Sequence, residues 1–387
     1  MAASKKKLKK KKVATKKKVV RRVVKKAAKK KVVKKKVTRR VVRKVHPRDR
    51  KKTKLDLIRH QGNPILAPQG ENHWEARAAF NPTALLVDGK IHILYRAIGA
   101  DDRSVIGYAA SSDGFHIDKR LPHPVYLDIR MPKAGYEIQI PYSSGGGTNG
   151  GSEDPRVTLI GDRVYMIYTA FDGWGSLRLD LTSIRLDNFL NHVWKWKSPV
   201  HISPPGEIHK NWTLFPEKIG GKFAILHSIV PNIGIAYFDN LDELDGESFI
   251  KSSFLGGGRK GEWDNRMRGV GPAPIKTKHG WLVLYHAMDK NDPNRYKLGA
   301  MLLDLADPNN ILYRSNQPIL EPDEWYENQG FKSGVVYSCG AVVKDSKLIV
   351  YYGGADTVAC AAVADLDIFL RELMRTGKTK LKRNVHR

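Results

Sequence analysis

Two adjacent carboxylates stand in the stretch GGSEDPRV, residues 150–157, where Glu153 and Asp154 precede Pro155 and Arg156. A carboxyl group can donate a proton at neutral pH when burial or a neighbouring negative charge raises its pKa. A charged Glu153 would raise the pKa of Asp154, whereas Arg156 would lower that pKa if its side chain pointed inward. The sequence does not decide which of these two effects is larger. The same residues also suit a turn with a surface ion pair, so a chemical role needs further support.

Other polar residues interrupt the apolar pattern at similar places along the chain. They combine amide, guanidinium, imidazole and carboxylate groups, and aromatic residues lie between them. Sugars need many hydrogen-bonding partners and an aromatic face, and cleavage of a glycosidic bond needs an Asp or Glu as proton donor. A carbohydrate site is therefore one hypothesis for these candidates: Asn81, Arg96, Lys210, His227, Arg266, Arg268, His286, Tyr296 and Asp356.

The chain beyond residue 60 repeats one pattern five times, at residues 83–97, 157–170, 215–229, 274–288 and 341–355. Each copy has a short strand, a two-residue polar turn and a second apolar strand. The second strands end in Tyr95, Tyr168, His227, Tyr285 and Tyr351. Five such hairpin units predict an all-β fold, a five-bladed β-propeller, and a β-sandwich is the alternative. A short C-terminal helix is predicted in ADLDIFLRELMRTG, with Leu366, Phe369, Leu370 and Leu373 on one face.

Nearly all of the net charge of +29 belongs to residues 1–52, which hold 28 Lys or Arg and one acid. The rest of the chain, with 40 basic and 38 acidic residues, is close to neutral. Because residues 1–52 also lack aromatic residues, they are predicted to be a disordered basic tail ahead of a propeller domain at residues 60–376. The tail suits non-specific binding to nucleic acid or another polyanion, and an extension without a partner is the alternative.

The sequence lacks the patterns of several other protein classes. No run of about 20 apolar residues predicts a membrane span, and no apolar stretch follows the basic residues as in a secretory signal. Cys339 and Cys360 are the only cysteines, which argues against a disulfide scaffold and suits the cytoplasm. No metal cluster of recognised spacing, phosphate loop or nucleophile elbow occurs, so neither a metal nor a cofactor is expected.

Several ordered motifs resemble those of glycoside hydrolase family 130, the β-mannoside phosphorylases and their hydrolase relatives. They include FNPTALLVDGKIHILYRAIG, GGSEDPRV, LFPEKIGGKFAILH, GVGPAPIKTKHGWLVLYHAM and YYGGADTV, and the match runs from about residue 60 to 372. The resemblance implies a five-bladed propeller and inverting cleavage of a β-mannoside, with Asp154 as the general acid acting through the 3-hydroxyl of the sugar. The residues implied to form the mannosyl pocket are Asn81, Arg96, Glu153, Arg156 and Asp356.

The phosphate side of this pocket departs from the family pattern. The resemblance places His286 and Tyr296 near phosphate and keeps a cation at Lys210. However, Ser228 stands where many members have Arg, and Met267 stands at the position of a usual Lys. Arg266 and Arg268 flank Met267, so they either supply the cationic charge that an attacking anion needs or point elsewhere.

The function that the resemblance implies is that of a β-1,4-mannoside phosphorylase, which uses inorganic phosphate as co-substrate and releases mannose 1-phosphate. Two alternatives stay open: an inverting hydrolase that uses water, and a non-catalytic sugar-binding propeller. A hydrolase needs a second carboxylate as base, and the candidates are Glu207, Glu262, Asp264 and Glu327. The glycine-rich insertion at residues 128–151 is predicted to form a lid or a subsite wall.

Overall fold

Strands dominate the computed structural model of the chain, which describes residues 53–128, 149–172, 177–252 and 257–377. The prediction of a mainly β protein is confirmed, because the α-helices of the described residues are short: α1 (Leu186–Leu190), α2 (Trp325–Asn328) and α3 (Leu366–Thr376). Two 3-10 turns cover His73–Glu75 and Leu241–Glu243. The predicted C-terminal helix is α3, which begins where the Asp365 side chain accepts a hydrogen bond from the Ile368 N–H.

The strands fall into five consecutive antiparallel groups, here called units 1 to 5. Strand β1 (Ile58–Arg59) comes first, and unit 1 follows with β2 (Ala78–Val87), β3 (Lys90–Ile98), β4 (Ser104–Ser111) and β5 (Lys119–Arg120). Unit 2 consists of β6 (Gly151–Ile160), β7 (Arg163–Phe171), β8 (Leu177–Arg185) and β9 (Val200–His201). Unit 3 consists of β10 (Thr213–Leu214), β11 (Phe223–Ser228) and β12 (Gly234–Phe238).

Units 4 and 5 complete the set. Unit 4 consists of β13 (Arg266–Val270), β14 (Ile275–Thr277), β15 (Gly280–Asp289), β16 (Asp292–Leu303) and β17 (Ile311–Arg314). Unit 5 consists of β18 (Val336–Lys344), β19 (Lys347–Gly354) and β20 (Val358–Asp365), and β1 pairs with β20 as its outermost strand. The N-terminal strand therefore belongs to the last unit.

The predicted hairpins are all present, and their turns use backbone conformations that favour tight reversal. Asp88 and Gly89 both have positive φ, 49° and 75°, as do Asp345 and Ser346 at 50° and 61°. Such residues match the twist of two antiparallel strands. In unit 4 the turn lies one residue earlier than predicted, because Thr277 pairs with Gly280.

Hydrogen bonds join units 5, 1 and 2 into one sheet through single parallel bridges, Ala79 with Val358 and Ser104 with Gly151. Units 3 and 4 form separate sheets. Apolar clusters nevertheless lie between each unit and the next, and another lies between unit 5 and unit 1. Because the hydrogen-bonded sheets do not close on themselves, strand pairing alone does not establish the predicted five-bladed propeller.

A buried Tyr, acid and Arg connect the inner and outer parts of a unit. In unit 4 the Tyr285 hydroxyl donates to Asp264 Oδ2 at 2.8 Å, and Arg314 of the outer strand β17 pairs with the same oxygen at 2.7 Å. Unit 1 repeats the arrangement with Tyr95, Glu75 and Arg120. In both units the acid precedes the first strand and the Arg lies on the last strand, so these ion pairs connect the two edges of the unit.

In unit 5 the same arrangement holds the N-terminal strand. Arg59 of β1 donates to Glu327 Oε1 at 2.7 Å and to Oε2 at 2.8 Å, and the Tyr352 hydroxyl donates to Oε1 at 2.8 Å. Tyr352 makes this contact, whereas Tyr351, which the repeat aligns with Tyr95 and Tyr285, donates to the Gly114 carbonyl. Leu57 also packs into the core beside unit 5.

Several predictions fall outside the described residues. These are the disorder and polyanion binding of residues 1–52 and most of the insertion at residues 128–151, and the domain boundaries stay predictions. Among the described residues, no helix has the length and apolarity needed to cross a membrane. No cluster of three or more His, Cys, Asp or Glu side chains suited to a metal ion occurs in that part of the chain.

We predict that Arg59→Met destabilises the protein by about 3 kcal/mol, since removal of one partner leaves the carboxylate of Glu327 buried and uncompensated. Urea unfolding of the full chain, followed by tryptophan fluorescence, measures the change. Arg371→Met serves as the control, because Arg371 lies on the exposed side of α3, and we expect a change within about 0.5 kcal/mol. Equal midpoints for both variants would contradict the role of the Arg59–Glu327 pair.

Candidate active site

Irregular backbone on β2 and β6, the first strands of units 1 and 2, brings Asn81 and Asp154 together. The register of β2 shifts between Phe80 and Thr83, and that of β6 shifts between Glu153 and Arg156. Asn81 and Asp154 have left-handed φ values of 47° and 50°. Such bulges re-aim side chains, and here Asn81 Nδ2 donates to Asp154 Oδ1 at 2.7 Å.

A buried set of charges surrounds this pair. Arg96, which is completely buried, donates to Glu153 Oε1 at 3.0 Å and lies 3.5 Å from Asp154 Oδ1. Lys210 donates to the other oxygen of Glu153 at 3.1 Å. Two cations therefore contact Glu153, while Asp154 has a longer contact with Arg96 and a hydrogen bond from a neutral amide.

Burial and neighbouring positive charges act on the pKa of Asp154 in opposite directions. Burial raises the pKa of Asp154, but the positive charges of Arg96 and Lys210 and the hydrogen bond from Asn81 outweigh burial, so the pKa lies below its usual range. Glu153 is held by Arg96 and Lys210. Without bound substrate, Asp154 is consequently a carboxylate.

Arg156 supports the backbone of the site. Its Nη1 donates to the Asp154 carbonyl at 3.0 Å, Nε donates to the Gly271 carbonyl at 2.9 Å and Nη2 donates to Asn211 Oδ1 at 2.9 Å. The Tyr337 hydroxyl also contacts Asn211 Oδ1. These contacts direct Arg156 toward protein acceptors, although the sequence suggested a place in the sugar pocket.

His286, on β15 opposite Gly269 of β13, is a neutral imidazole. Its ring stacks on Tyr337 with centroids 4.2 Å apart, and Nε2 accepts a hydrogen bond from the Ser338 N–H at 2.9 Å. Burial, helped by the charge of Arg156, lowers the pKa of His286 to about 3. Because Nε2 is the acceptor, Nδ1 carries the proton, and Nδ1 has no hydrogen-bond partner among the described residues.

A basic cleft of about 520 Å³ opens at one end of strands β13, β15 and β16. Arg266 and Arg268 both line it, while Met267 between them is buried and its Sδ accepts a hydrogen bond from Arg314 at 3.0 Å. Alternation along β13 therefore turns both arginines toward the cleft and the methionine toward the core. The other lining residues are Met288, Pro293, Asn294, Arg295, Tyr296, Asn328, Lys332, Ser333 and Gly334.

Asp356 links the cleft to Asp154. It follows β19 with a left-handed φ of 52° and is buried. Burial, together with the negative charge of Asp154, raises the pKa of Asp356 to about 7, although the positive charges of Lys332, Arg96 and Lys210 oppose this shift. Asp356 therefore lies within electrostatic reach of both the buried charges and the cleft, and it changes protonation near neutral pH.

The four carboxylates that the sequence suggested as bases for hydrolysis are either bound in ion pairs or exposed. Glu327 and Asp264 are buried in the ion pairs of units 5 and 4. Glu207 and Glu262 are exposed, and Glu207 pairs with His209 at 2.7 Å. Glu153 is already bound by Arg96 and Lys210, so none of these groups is an available base in the described part of the chain.

Sequence reasoning missed three side chains that shape the site. Asn211 and Tyr337 bind Arg156, and the Lys332 ammonium lies over the Tyr296 ring at 4.5 Å from its centroid. Asn211 follows the candidate Lys210 directly, and a left-handed φ of 68° sets its direction. Asn211 could have been predicted because it is adjacent to the candidate Lys210 in the sequence. Lys332 lies in a loop whose sequence has no distinctive pattern.

We predict that Asp356→Asn raises the melting temperature at pH 8 by about 3 °C or more and has little effect at pH 4. Because folding raises the pKa of Asp356, the folded state binds more protons than the unfolded state between about pH 4 and 7, and stability falls as pH rises through that window. Thermal unfolding at several pH values tests this, with the exposed Asp323→Asn as control. A difference between Asp356→Asn and the wild type that does not change with pH would contradict the prediction.

Comparison with known proteins assigns this site to a family. The sequence profile of glycoside hydrolase family 130, described as β-1,4-mannooligosaccharide phosphorylase, matches residues 48–376. A 1,2-β-oligomannan phosphorylase of Thermoanaerobacter sp. (strain X514) is 38% identical over 321 residues, which cover 81% of this chain and 98% of that protein. A β-1,2-mannobiose phosphorylase of the same organism is 35% identical, over 80% of this chain and 97% of its own length.

The solved structures agree with the sequence match. The β-1,2-mannobiose phosphorylase of Listeria innocua, in complex with β-1,2-mannobiose, aligns with a TM-score of 0.62 and 28% identity, covering 82% of this chain and 99% of that one. The resemblance inferred from the ordered motifs is thereby confirmed. The profile spans most of the chain and two relatives exceed 30% identity over nearly their whole lengths, so the chain belongs to glycoside hydrolase family 130.

Proposed function

We propose that this protein is a β-mannoside phosphorylase that cleaves its substrate with inversion. The observation that carries the proposal is the basic cleft lined by Arg266, Arg268 and Lys332. The cleft residue Lys332 and the acid Asp154 both act electrostatically on Asp356, which connects the cleft to the buried charges. An anion that attacks a sugar needs fixed positive charge at the site of attack. The cleft offers that charge, although Met267 and Ser228 depart from the family pattern.

The proposed reaction is a single displacement. A phosphate oxygen forms a bond to the anomeric carbon as the bond from that carbon to the glycosidic oxygen breaks, and the leaving oxygen receives the proton of Asp154. The products are α-mannose 1-phosphate and the shortened mannoside. By resemblance to the family, the proton passes through the 3-hydroxyl of the mannosyl unit, which Asn81, Arg96 and Asp356 would hold.

Phosphate also helps to explain how Asp154 gains its proton. In the unliganded protein the neighbouring cations lower the pKa of Asp154. A bound phosphate brings negative charge close to the same cations, which raises the pKa of a nearby carboxyl group. Binding of the anionic co-substrate would therefore favour the protonated acid that the reaction needs.

For the linkage, we propose β-1,2-mannosides as the first substrates to test. Two relatives at 38% and 35% identity carry β-1,2 names, and the aligned Listeria structure holds β-1,2-mannobiose. The β-1,4 linkage expected from the sequence is the linkage named by the family profile, and it remains the alternative.

We also propose that units 1 to 5 close into the five-bladed propeller predicted from the repeats. The apolar clusters between successive units support this arrangement, and so does the contact between β18 of unit 5 and β2 of unit 1. In such a ring the innermost strands, which carry Asn81 and Asp154, surround one central channel.

A hydrolase is the second candidate, since the same acid would serve it. Inversion by water needs a base carboxylate about 6.5 to 9.5 Å from the acid. Glu207, Glu262, Asp264 and Glu327 are each exposed or bound elsewhere among the described residues. A non-catalytic sugar-binding role is the third candidate, and the grouped Asn81, Arg96 and Asp154 argue against it.

Cytoplasmic location and polyanion binding through residues 1–52 remain proposals that rest on composition alone. We propose that the tail acts independently of catalysis. Removal of residues 1–50 should then leave turnover unchanged.

We predict phosphate-dependent release of mannose 1-phosphate from β-1,2-mannobiose, and slower release from β-1,4-mannobiose. The measurement is chromatography of the products formed with and without inorganic phosphate. Free mannose formed at the same rate without phosphate would indicate the hydrolase. A faster reaction with the β-1,4 sugar would restore the linkage expected from the sequence.

Asp154→Asn is the control for the site. Loss of the general acid should lower kcat about 100-fold or more, while sugar binding persists. Equal turnover by the variant and the wild type would show that the measured activity arises elsewhere.

A further inference from the structure

We propose that Lys332 binds the phosphate group in the basic cleft, a role that deepens the proposed function and rests on it. The same residue would contact inorganic phosphate in the forward reaction and the phosphate of mannose 1-phosphate in the reverse reaction. Lys332 was not among the candidates that the sequence suggested.

The first support is the composition of the cleft wall. Four cations line it, Arg266, Arg268, Arg295 and Lys332, and no Asp or Glu is among the described residues that line it. One acid contacts this wall from outside the lining, since Asp292 lies 3.6 Å from Arg295, so positive charge exceeds negative charge at the cleft. A concave surface with this charge balance suits a compact anion that carries two negative charges.

The second support is the position of the ammonium group. Lys332 Nζ lies 4.5 Å from the centroid of the Tyr296 ring, and the Arg268 guanidinium carbon lies 5.3 Å from the same centroid. Cation–π attraction to this one ring positions both cationic side chains in the wall of the cleft. An anion bound in the cleft would place negative charge near each of them.

The third support is the absence of a competing carboxylate. Among the described residues, neither Lys332 nor Arg266 forms an ion pair within 4.0 Å. Asp356 is a carboxyl group within electrostatic reach of Lys332. Lys210, which was expected on the phosphate side, donates to Glu153 at 3.1 Å, so its ammonium already balances a buried carboxylate.

The fourth support is the fixed backbone of the loop. The Lys332 N–H donates to the Ala355 carbonyl at 3.0 Å, and the Phe331 N–H donates to Thr357 Oγ1 at 3.0 Å. At Gly330 a Cβ would lie 2.3 Å from Thr357 Oγ1, so only glycine permits this close approach. The loop is thus held against the segment that carries Asp356, and Lys332 is pre-positioned for its ligand.

The test compares Lys332→Met with Lys347→Met in the full-length protein. Lys347 is exposed at the start of β19, whereas Asp356 follows the end of that strand, about 25 Å away by strand geometry. Both variants lose one positive charge and keep side chains of similar length. Thermal unfolding identifies any general loss of structure, and Lys332→Arg, which keeps the charge, is the second variant.

Two readouts distinguish this inference from the proposed function. Equilibrium dialysis with radiolabelled inorganic phosphate measures binding without turnover, and steady-state kinetics separates the KM for phosphate from the KM for the mannoside. For Lys332→Met we expect both the phosphate Kd and the phosphate KM to rise about 10- to 100-fold. We expect the mannoside KM to change less than about twofold, Lys347→Met to resemble the wild type, and Lys332→Arg to recover part of the affinity.

Several results would overturn the inference. Phosphate affinity within about twofold of wild type in Lys332→Met would do so, as would an equal rise in the two KM values or a failure of the wild type to bind phosphate. If the wild type binds phosphate but forms no mannose 1-phosphate, the proposed function fails, and dialysis still decides the role of Lys332.

Discussion

The ion pairs of Glu153 with Arg96 and Lys210 are the interaction on which the rest of the site depends. All three groups are buried or nearly so, and removal of one partner would leave charge uncompensated in a poorly solvated interior. The same two cations act on the adjacent Asp154 and hold its pKa below the usual range, so Asp154 is a carboxylate in the unliganded protein. Asn81 and the β-bulges then fix its direction.

The cationic side chains near Asp154 and in the basic cleft consequently fall into two groups. Arg96 and Lys210 balance a buried carboxylate, whereas the arginines of β13 and Lys332 face a cleft whose described lining has no acid. The alternation of β13 explains why Met267 does not remove charge from the cleft, since its side chain packs in the core between arginines that point the other way. Asp356 lies between the two groups, so its protonation depends on both.

Local signals in the sequence were sufficient for the hairpins, the C-terminal helix and the family, because alternation, turn residues and ordered motifs are short-range features. They also selected Asn81, Arg96, Asp154 and Asp356, which the structure brings together. Direction and long-range contacts were not predictable: Arg156 donates to carbonyl groups of unit 4, and Tyr352, not the repeat-aligned Tyr351, donates to Glu327. Lys332 was missed for the same reason, since its importance arises from packing against Tyr296.

The most direct test of the account is the anomeric configuration of the first product formed from β-1,2-mannobiose in phosphate buffer, followed by ¹H and ³¹P nuclear magnetic resonance from the earliest time points. A single displacement, with phosphate attacking opposite the leaving oxygen, predicts α-mannose 1-phosphate. Initial formation of β-mannose 1-phosphate would require two displacements and a covalent intermediate on a protein carboxylate, and it would contradict the role given to Asp154 and the basic cleft.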